Sequence, residues 1–128
     1  MQDIKTILLV EPDLSLREFF TQIFINAGHN PLCMKDESEI ETLTEEEAKE
    51  LDLIVVDDAD QPKIFTRKVR EIYEAIKLKP VPIIGLLKKG ALLSETTESH
   101  FDEVLVKDNF NLQIFTDCVQ DLLSVRRR

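Results

Sequence analysis

The sequence predicts a three-layer α/β domain, in which a doubly wound parallel sheet lies between two layers of helices. Two observations support this fold class. Short runs that are apolar on both faces, such as TILLV at residues 6–10, alternate along the chain with longer amphipathic segments. The alternation yields about five strands and about five helices, and right-handed helical crossovers are the simplest way to connect parallel strands.

Length and composition limit the class of protein. The chain has 128 residues, and its 16 Lys and Arg against 25 Asp and Glu give a net charge of -9, which opposes binding to a nucleic-acid backbone. No apolar run approaches the roughly 20 residues that span a bilayer, and the acidic N-terminus is unlike a secretory signal. We therefore expect one cytoplasmic domain over residues 1–125, with residues 126–128 as a basic tail or the start of a linker, and neither a nucleic acid nor a membrane as partner.

A helix is predicted directly after the first strand. Its apolar positions form one stripe, made of Leu16, Phe19, Phe20, Ile23, Phe24 and Ala27. Two N-terminal caps are compatible with the sequence, because Ser15 and Glu18 make a capping box while Asp13 competes as the N-cap. Gly28 is expected to end the helix at the position after its C-cap.

The middle of the chain continues the alternation. Residues 31–34, PLCM, predict a second strand, and Ser38 with Glu41 predicts a capping box at the start of a second helix. That helix carries the apolar residues Ile40, Leu43 and Ala48. Leu53–Val56 form the centre of a third strand within LDLIVVDDAD, and their β-branched and aliphatic side chains are typical of a buried strand.

The second half of the chain predicts two more strands and their helices. A helix over residues 64–79 carries the stripe Phe65, Val69, Ile72, Tyr73 and Ile76. Residues 81–87 and 103–106 are apolar runs that predict the fourth and fifth strands. Asn109 or Asn111 can cap a final helix whose inward residues are Phe115, Val119, Leu122 and Leu123.

Charged residues follow the predicted strands at the positions where parallel sheets carry their sites, beyond the carboxyl ends of the strands. Glu11-Pro12-Asp13 follows the first strand, Asp57-Asp58-Ala59-Asp60 ends the third, and Lys107 follows the fifth. Two carboxylates about 4 Å apart repel by roughly 4 kcal/mol at an effective dielectric near 20, so such a pocket requires a cation or a proton. Mg²⁺ prefers one or two carboxylates together with water and phosphate oxygens, and therefore fits this pattern.

Four segments, taken in their order and spacing, are typical of one family. They are ILLVEPD at residues 7–13, DLIVVD at 52–57, PIIGLL at 82–87 and EVLVKD at 103–108. With them the chain resembles, over essentially its whole length, a receiver domain of the bacterial two-component response-regulator family. The resemblance implies a flavodoxin-like, CheY-like (βα)₅ domain with strand order 2-1-3-4-5.

The resemblance also implies a function. Asp57 falls at the position of the aspartyl phosphoacceptor, and Lys107 at that of the cation that stabilises the phosphoryl oxygens. Glu11, Asp13 and Asp57 would form a weak Mg²⁺ site, in which Glu11 holds the ion through water. The partners implied are a sensor histidine kinase or another signalling protein, a second copy of the chain and a C-terminal effector domain in a longer protein. The signal would leave through the family's fourth helix, fifth strand and fifth helix, without enzymatic turnover.

Three positions that are functional in the family carry other residues in this chain. Pro12 stands where the family has a second acid that contacts the metal, Leu87 replaces a Ser or Thr that hydrogen-bonds the phosphoryl group, and Val104 replaces the switch aromatic residue. These departures leave a second interpretation open, in which the chain is a pseudo-receiver that binds other proteins without being phosphorylated.

Lys88 suggests how the negative charge of the pocket could be neutralised if Mg²⁺ binds only weakly. It replaces a small residue of the family, and we hypothesise that its ammonium group lies over Asp57 or Asp60. A shift of the third strand by one residue would exchange Asp57 with Asp58, so the identity of the phosphoacceptor depends on the register of that strand.

The remaining chemistry-bearing residues predict no second site. Cys33 and Cys118 are far apart and have no ligand partner at metal-binding spacing, so we expect reduced, buried thiols. His29 and His100 are expected in loops. A flavin carrier is disfavoured, because the chain has no glycine-rich phosphate loop and the acids after the first strand would repel a phosphate.

Overall fold

The computed structural model describes residues 4–35, 39, 44–57, 81–87, 103–106 and 111–124. Within these residues, five strands form one sheet: β1 (Thr6–Val10), β2 (Asn30–Met34), β3 (Leu51–Asp57), β4 (Ile83–Leu87) and β5 (Glu103–Val106). The described helices are α1 (Leu14–Asn26), α2 (Glu45–Glu50) and α3 (Leu112–Ser124). The part of the chain that the structure describes contains no helix capable of spanning a membrane.

The sheet has the strand order β2-β1-β3-β4-β5, and each neighbouring pair of strands is parallel. The predicted fold class and strand order are therefore confirmed. Since β1 lies between β2 and β3, the chain reverses its direction of winding at the β1–β3 pair. In open parallel sheets, binding crevices form at the carboxyl ends of the strands that flank such a reversal.

The central strands are buried on both faces, as their continuous apolar runs predict. All five residues of β1 and six of the seven residues of β3 are buried. In β2, by contrast, Met34 is the only buried residue, because this strand forms an edge of the sheet. The N–H of Asn30 faces β1 and donates to the carbonyl oxygen of Lys5 at 2.8 Å. By strand alternation, the nitrogen of Pro31, which carries no hydrogen, faces the open edge.

Helices α1 and α3 cover one face of the sheet with a shared aromatic core. The ring centroid of Phe115 lies 5.1 Å from that of Phe20 and 5.9 Å from that of Phe24. Beneath them lie alternate residues of three strands: Ile7, Leu9, Leu53, Val55, Ile84 and Leu86. The predicted stripe of α1 is wrong at two positions, since Phe19 is 45% exposed and Ala27 is the exposed C-cap.

The helix ends distinguish between the caps that the sequence allows. Asp13 is the N-cap of α1, because its Oδ1 accepts from the N–H of Leu16 at 2.9 Å. The Ser15–Glu18 capping box is therefore wrong, and Ser15 lies inside the helix. Gly28 follows the C-cap with a φ of 85°, which confirms its predicted place. At α3, the N–H groups of residues 113 and 114 donate to Asn111, which is the cap.

Helix α2 begins later than predicted. Its capping box is formed by Thr44 and Glu47, each of which accepts from the other's backbone N–H. Ser38 and Glu41, the predicted capping pair, lie outside the described residues. So do the predicted helix over residues 64–79 and the basic segment 126–128.

Candidate functional site

Glu11 and Asp57 leave the sheet side by side at its carboxyl edge. Val10 of β1 is the Cα partner of Val56 of β3, and each acid directly follows one member of this pair. Neighbouring parallel strands lie about 4.8 Å apart, so the two acids start from adjacent backbone positions. The observed register therefore brings the ends of β1 and β3 together, with Asp57 as the last residue of β3.

Both acids are buried, although carboxylates rarely are. Glu11 is 0% exposed and Asp57 is 1% exposed. Side chains alternate between the faces of a strand, so Asp57 continues the series of Leu53 and Val55 on the face that α1 and α3 cover. This face is apolar along the strands and ends in acids at the carboxyl edge.

Glu11 is held by one hydrogen bond to β2 and by two hydrogen bonds from the residues that follow it. Its N–H extends the sheet ladder by donating to the carbonyl of Met34 at 2.9 Å. Its Oε2 accepts from the backbone N–H of Asp13 at 3.1 Å. Its carbonyl oxygen accepts from Nη1 of Arg17 at 2.9 Å. The backbone and the carboxylate of Glu11 are thus both fixed from within residues 11–17 and by the neighbouring strand.

Pro12 and Asp13, the other two residues of the acidic turn, differ from Glu11 in their surroundings. Both are exposed, and the side chain of Pro12 offers no ligand atom. Asp13 uses Oδ1 to cap α1. Since one of its oxygens is engaged in this way, Asp13 is a weaker candidate for a metal ligand than the buried pair.

The fourth and fifth strands end at the same edge. Leu86 of β4 is the Cα partner of Asp57, and Leu87 is the partner of Val106, the last residue of β5. Val104 is paired with Gly85 inside the sheet. Lys107, Lys88, Asp58 and Asp60 lie outside the described residues, so the predicted approach of a lysine to the acids stays a prediction.

The donor chemistry of the buried pair fits Mg²⁺. The ion binds through one or two carboxylates and completes its octahedron with water or phosphate oxygens, and Glu11 with Asp57 supplies such a pair. No group of three or more His, Cys, Asp or Glu side chains suited to a metal occurs within the described residues. The two buried acids supply the one or two carboxylates that Mg²⁺ requires from a protein.

The sequence pattern does not predict the contact between Arg17 and Glu11. Helical periodicity places Arg17 on α1 but carries no information about a side chain that reaches back across the preceding turn. The sequence shows only that a cation, Arg17, lies in the first turn of a predicted helix that directly follows the acidic end of a strand.

Two titratable groups with shifted pKa values lie away from the acidic edge. Burial, with a smaller contribution from Lys5, lowers the pKa of His29 below 6.5, while Asp52 partly opposes this shift. Burial, with Glu103 and Asp121, raises the pKa of the Cys118 thiol to about 11. Cys33 is exposed, so the prediction of a buried thiol is wrong for this residue; both cysteines are free, as predicted.

Comparisons with known proteins agree with this architecture. No protein-family model matches the sequence, and no curated protein matches it. Among solved structures, the non-phosphorylated HemR receiver domain from Leptospira biflexa matches with a TM-score of 0.76 at 24% identity, over 97% of this chain and 98% of that chain. The response regulator protein TrrA from Thermotoga maritima, in complex with Mg(2+)-BeF, matches with a TM-score of 0.74 at 24% identity, over 93% and 99%. A chain in the complex of the histidine kinase ThkA with TrrA matches with a TM-score of 0.74 at 25% identity, over 94% and 100%.

Proposed function

Because the chain has the fold of the response regulator receiver domains, we propose that it receives a phosphoryl group on Asp57 in a two-component signalling pathway. The observation that supports this proposal most directly is the buried pair of Glu11 and Asp57 at the point where the sheet reverses its winding. Two buried carboxylates on adjacent strands are costly for stability, and a phosphoacceptor site with a cation is a function that would retain them.

The proposed reaction is a single phosphoryl transfer. A carboxylate oxygen of Asp57 forms a bond to phosphorus while the phosphorus–nitrogen bond of a phosphohistidine breaks. The leaving imidazole keeps the electron pair of that bond and takes up a proton. The product is an acyl phosphate on Asp57, so the chain is a signalling domain and not a turnover enzyme.

Cations would offset the negative charge at the acidic edge. Glu11 and Asp57 would hold Mg²⁺, with Asp13 as a weaker third acid, and the ion would neutralise charge on the phosphoryl oxygens. The TrrA structure with Mg(2+)-BeF supports this choice of metal. We propose Lys107, the next residue in the chain after Val106 of β5, as the second cation. Lys88 stays the hypothetical cation over Asp57 or Asp60.

The surroundings of the site suggest how a phosphohistidine donor would bind. Its imidazole must reach Asp57, so the donor must cover the carboxyl edge, where α1 and α3 begin. Three apolar side chains at these helix starts are exposed: Leu14 at 58%, Leu112 at 49% and Ile114 at 55%. Exposed apolar side chains that lie together on a surface mark sites of contact with other proteins. The complex of ThkA with TrrA supports a histidine kinase as the donor.

Beryllofluoride, a mimic of a phosphoryl group, provides the test. We expect Mg²⁺ and beryllofluoride together to shift the amide NMR signals of Glu11, Asp57 and Leu87. Acetyl phosphate should add one phosphoryl group to the intact mass. Asp57→Asn should abolish both effects.

Asp52→Asn is the matched control. Asp52 lies at the opposite end of β3, where its Oδ2 accepts from the N–H of Thr6 at 2.9 Å, and an asparagine oxygen can keep this bond. We expect this variant to behave as the wild type. Persistence of the shifts in Asp57→Asn, or their loss in Asp52→Asn, would contradict the assignment of the phosphoacceptor.

The second candidate function is the pseudo-receiver, which binds partners without phosphorylation. It is favoured by Pro12, which offers no ligand atom, and by the use of Asp13 as a helix cap. In this case the wild type would bind neither Mg²⁺ nor beryllofluoride in the same titration. A protein partner would then bind equally well to the wild type and to Asp57→Asn.

A further inference from the structure

We infer that Arg17 is a positioning residue of the acidic site, which fixes the Glu11 carboxylate beside Asp57 by holding the backbone of Glu11. Its importance for phosphorylation rests on the proposed function. Its effect on the geometry of the β1–α1 turn does not, and this effect can be measured separately.

Arg17 contacts the turn through both its side chain and its backbone. Nη1 of the guanidinium donates to the carbonyl oxygen of Glu11 at 2.9 Å. The backbone N–H donates to the carbonyl oxygen of Asp13 at 2.8 Å, as the first hydrogen bond of α1. Because the backbone of Arg17 is anchored in the helix, its half-buried side chain connects the first turn of α1 to the end of β1.

The end of β1 requires such a donor. Glu11 is the last residue on the sheet ladder, where its N–H donates to Met34. The next residue is Pro12, which has no N–H to contribute to the turn. A buried backbone carbonyl needs a hydrogen-bond donor, and a charged guanidinium gives a stronger hydrogen bond than a neutral group.

Holding the carbonyl of Glu11 also restricts its carboxylate. The peptide plane between Glu11 and Pro12 is fixed by Arg17, and Oε2 of Glu11 accepts from the N–H of Asp13 at 3.1 Å. Both bonds belong to the same short turn, so release of the carbonyl allows the turn to rotate and weakens the bond to Oε2. The carboxylate next to Asp57 would then sample several orientations.

The first test measures the turn without any ligand. Arg17→Met keeps the aliphatic stem but removes the donor, and Arg17→Lys restores a cationic donor. Lys49→Met, at an exposed position on α2, is the matched control for the lost charge. We expect hydrogen exchange of the Asp13 N–H to become about tenfold faster in Arg17→Met, as for the loss of one hydrogen bond. Exchange in α3 should not change, and Arg17→Lys should recover most of the protection.

A purely structural role would give a different result. If exchange accelerates equally at Asp13 and throughout α3, Arg17 stabilises the whole domain and the inference is wrong. Unchanged exchange at Asp13 in Arg17→Met would also overturn it.

The second test measures the site. Residues that orient a metal ligand typically contribute about 10- to 100-fold to metal affinity, so Arg17→Met should weaken the Mg²⁺-dependent binding of beryllofluoride by that factor. Lys49→Met should leave the affinity for beryllofluoride unchanged, and Arg17→Lys should lower this affinity less than Arg17→Met does. If the wild type binds no beryllofluoride, the proposed function fails, while exchange at Asp13 still decides whether Arg17 holds the turn.

Discussion

The rings of Phe20 and Phe115 lie 5.1 Å apart at an interplanar angle of 38°, and they join α1 to α3 over the sheet. Phe20 is 2% exposed and Phe115 is 0% exposed. Since α1 begins next to the acidic turn and α3 begins after β5, this contact links the two helices whose first turns lie towards the carboxyl edge. The aromatic core therefore supports the geometry of the site as well as the stability of the fold.

Removal of the buried ring of Phe115 should lower the free energy of unfolding far more than removal of the exposed ring of Phe19. We expect Phe115→Ala to lower the free energy of unfolding by about 3–5 kcal/mol, because it leaves a cavity in the core. Phe19→Ala, at a position 45% exposed on α1, should cost about 1 kcal/mol or less. Urea denaturation measures both changes. Equal losses for the two variants would contradict the assignment of Phe115 to the core, and Phe115→Leu offers a milder change if the alanine variant does not fold.

Pro12→Asp should strengthen metal binding, because it adds a carboxylate directly after Glu11 in the acidic turn. We expect Mg²⁺ affinity to rise about tenfold, since affinity follows the number of charged ligands. Thermal denaturation with and without Mg²⁺ measures this gain, because a ligand that binds the folded state raises its stability. Pro12→Asn is the uncharged control. An equal effect of Mg²⁺ on both variants would place residue 12 outside the metal site.

Leu14 should contribute to phosphoryl transfer from a protein donor but not to transfer from a small-molecule donor. We expect Leu14→Ser to lower kcat/KM for transfer from a phosphohistidine protein about tenfold, as for an apolar interface residue. The rate with acetyl phosphate should stay unchanged. Ile25→Ser is the matched control, since Ile25 is 51% exposed at the opposite end of α1. If both substitutions impair transfer equally, the kinase contact is not centred on the carboxyl edge.

The two thiols should react at very different rates. With a pKa of about 11 for Cys118, roughly one thiol in a thousand is ionised at pH 8, and the thiolate is the reactive form. Cys33 is exposed, so we expect iodoacetamide to modify it first in the folded protein. Labelling of Cys33→Ser and Cys118→Ser, followed by mass spectrometry, separates the two rates, which should converge in urea. Fast labelling of folded Cys33→Ser would refute the burial of Cys118.

Stability should decrease at acidic pH in part because of His29. Its pKa in the folded state is lowered below 6.5, mainly by burial, so the unfolded chain binds the proton more strongly. Its contribution is therefore fully present above pH 6.5 and is lost as the pH falls through the lower pKa of the folded state. Protonation also removes the acceptor for the N–H of Lys5, which donates to Nδ1 at 3.3 Å.

His29→Asn isolates this contribution from those of the carboxylates, because asparagine offers an acceptor oxygen that does not titrate. Urea denaturation between about pH 7.5 and pH 5 should show a smaller loss of stability for the variant than for the wild type. Parallel pH profiles would show that His29 titrates alike in the folded and unfolded states.

The strands could be predicted because their signals are local. β1 and the centre of β3, Leu53–Val56, are apolar runs that each end at an acid, and such runs are typical of strands buried on both faces. The errors occur where neighbouring residues compete. Phe19 lies next to Phe20 on α1, and only packing against Phe115 decides which ring is buried. Asp13 and Ser15 both satisfy the cap preference, and the direction in which the chain leaves β1 selects Asp13.

The site was predictable as far as it follows from sheet topology. In parallel strands, the acids at residues 11 and 57 must reach the same edge, and the order of strands makes them neighbours. The contact of Arg17 with Glu11 could not be predicted, because it depends on the path of the turn at Pro12. The exposure of Cys33 follows from the edge position of β2, which the residues of that strand do not reveal by themselves.

Pro31 has a consequence for how copies of this domain behave at high concentration. An edge strand has unpaired N–H and C=O groups with which a strand of another molecule can pair, and such pairing can lead to aggregation. The nitrogen of Pro31 faces outward on β2 and carries no hydrogen. A strand of another molecule that paired with β2 would therefore lack one N–H donor of the hydrogen-bond ladder. Pro31 thereby opposes β-pairing between molecules at the outer edge of β2. It does so without removing a hydrogen bond between β1 and β2, because its nitrogen faces away from β1.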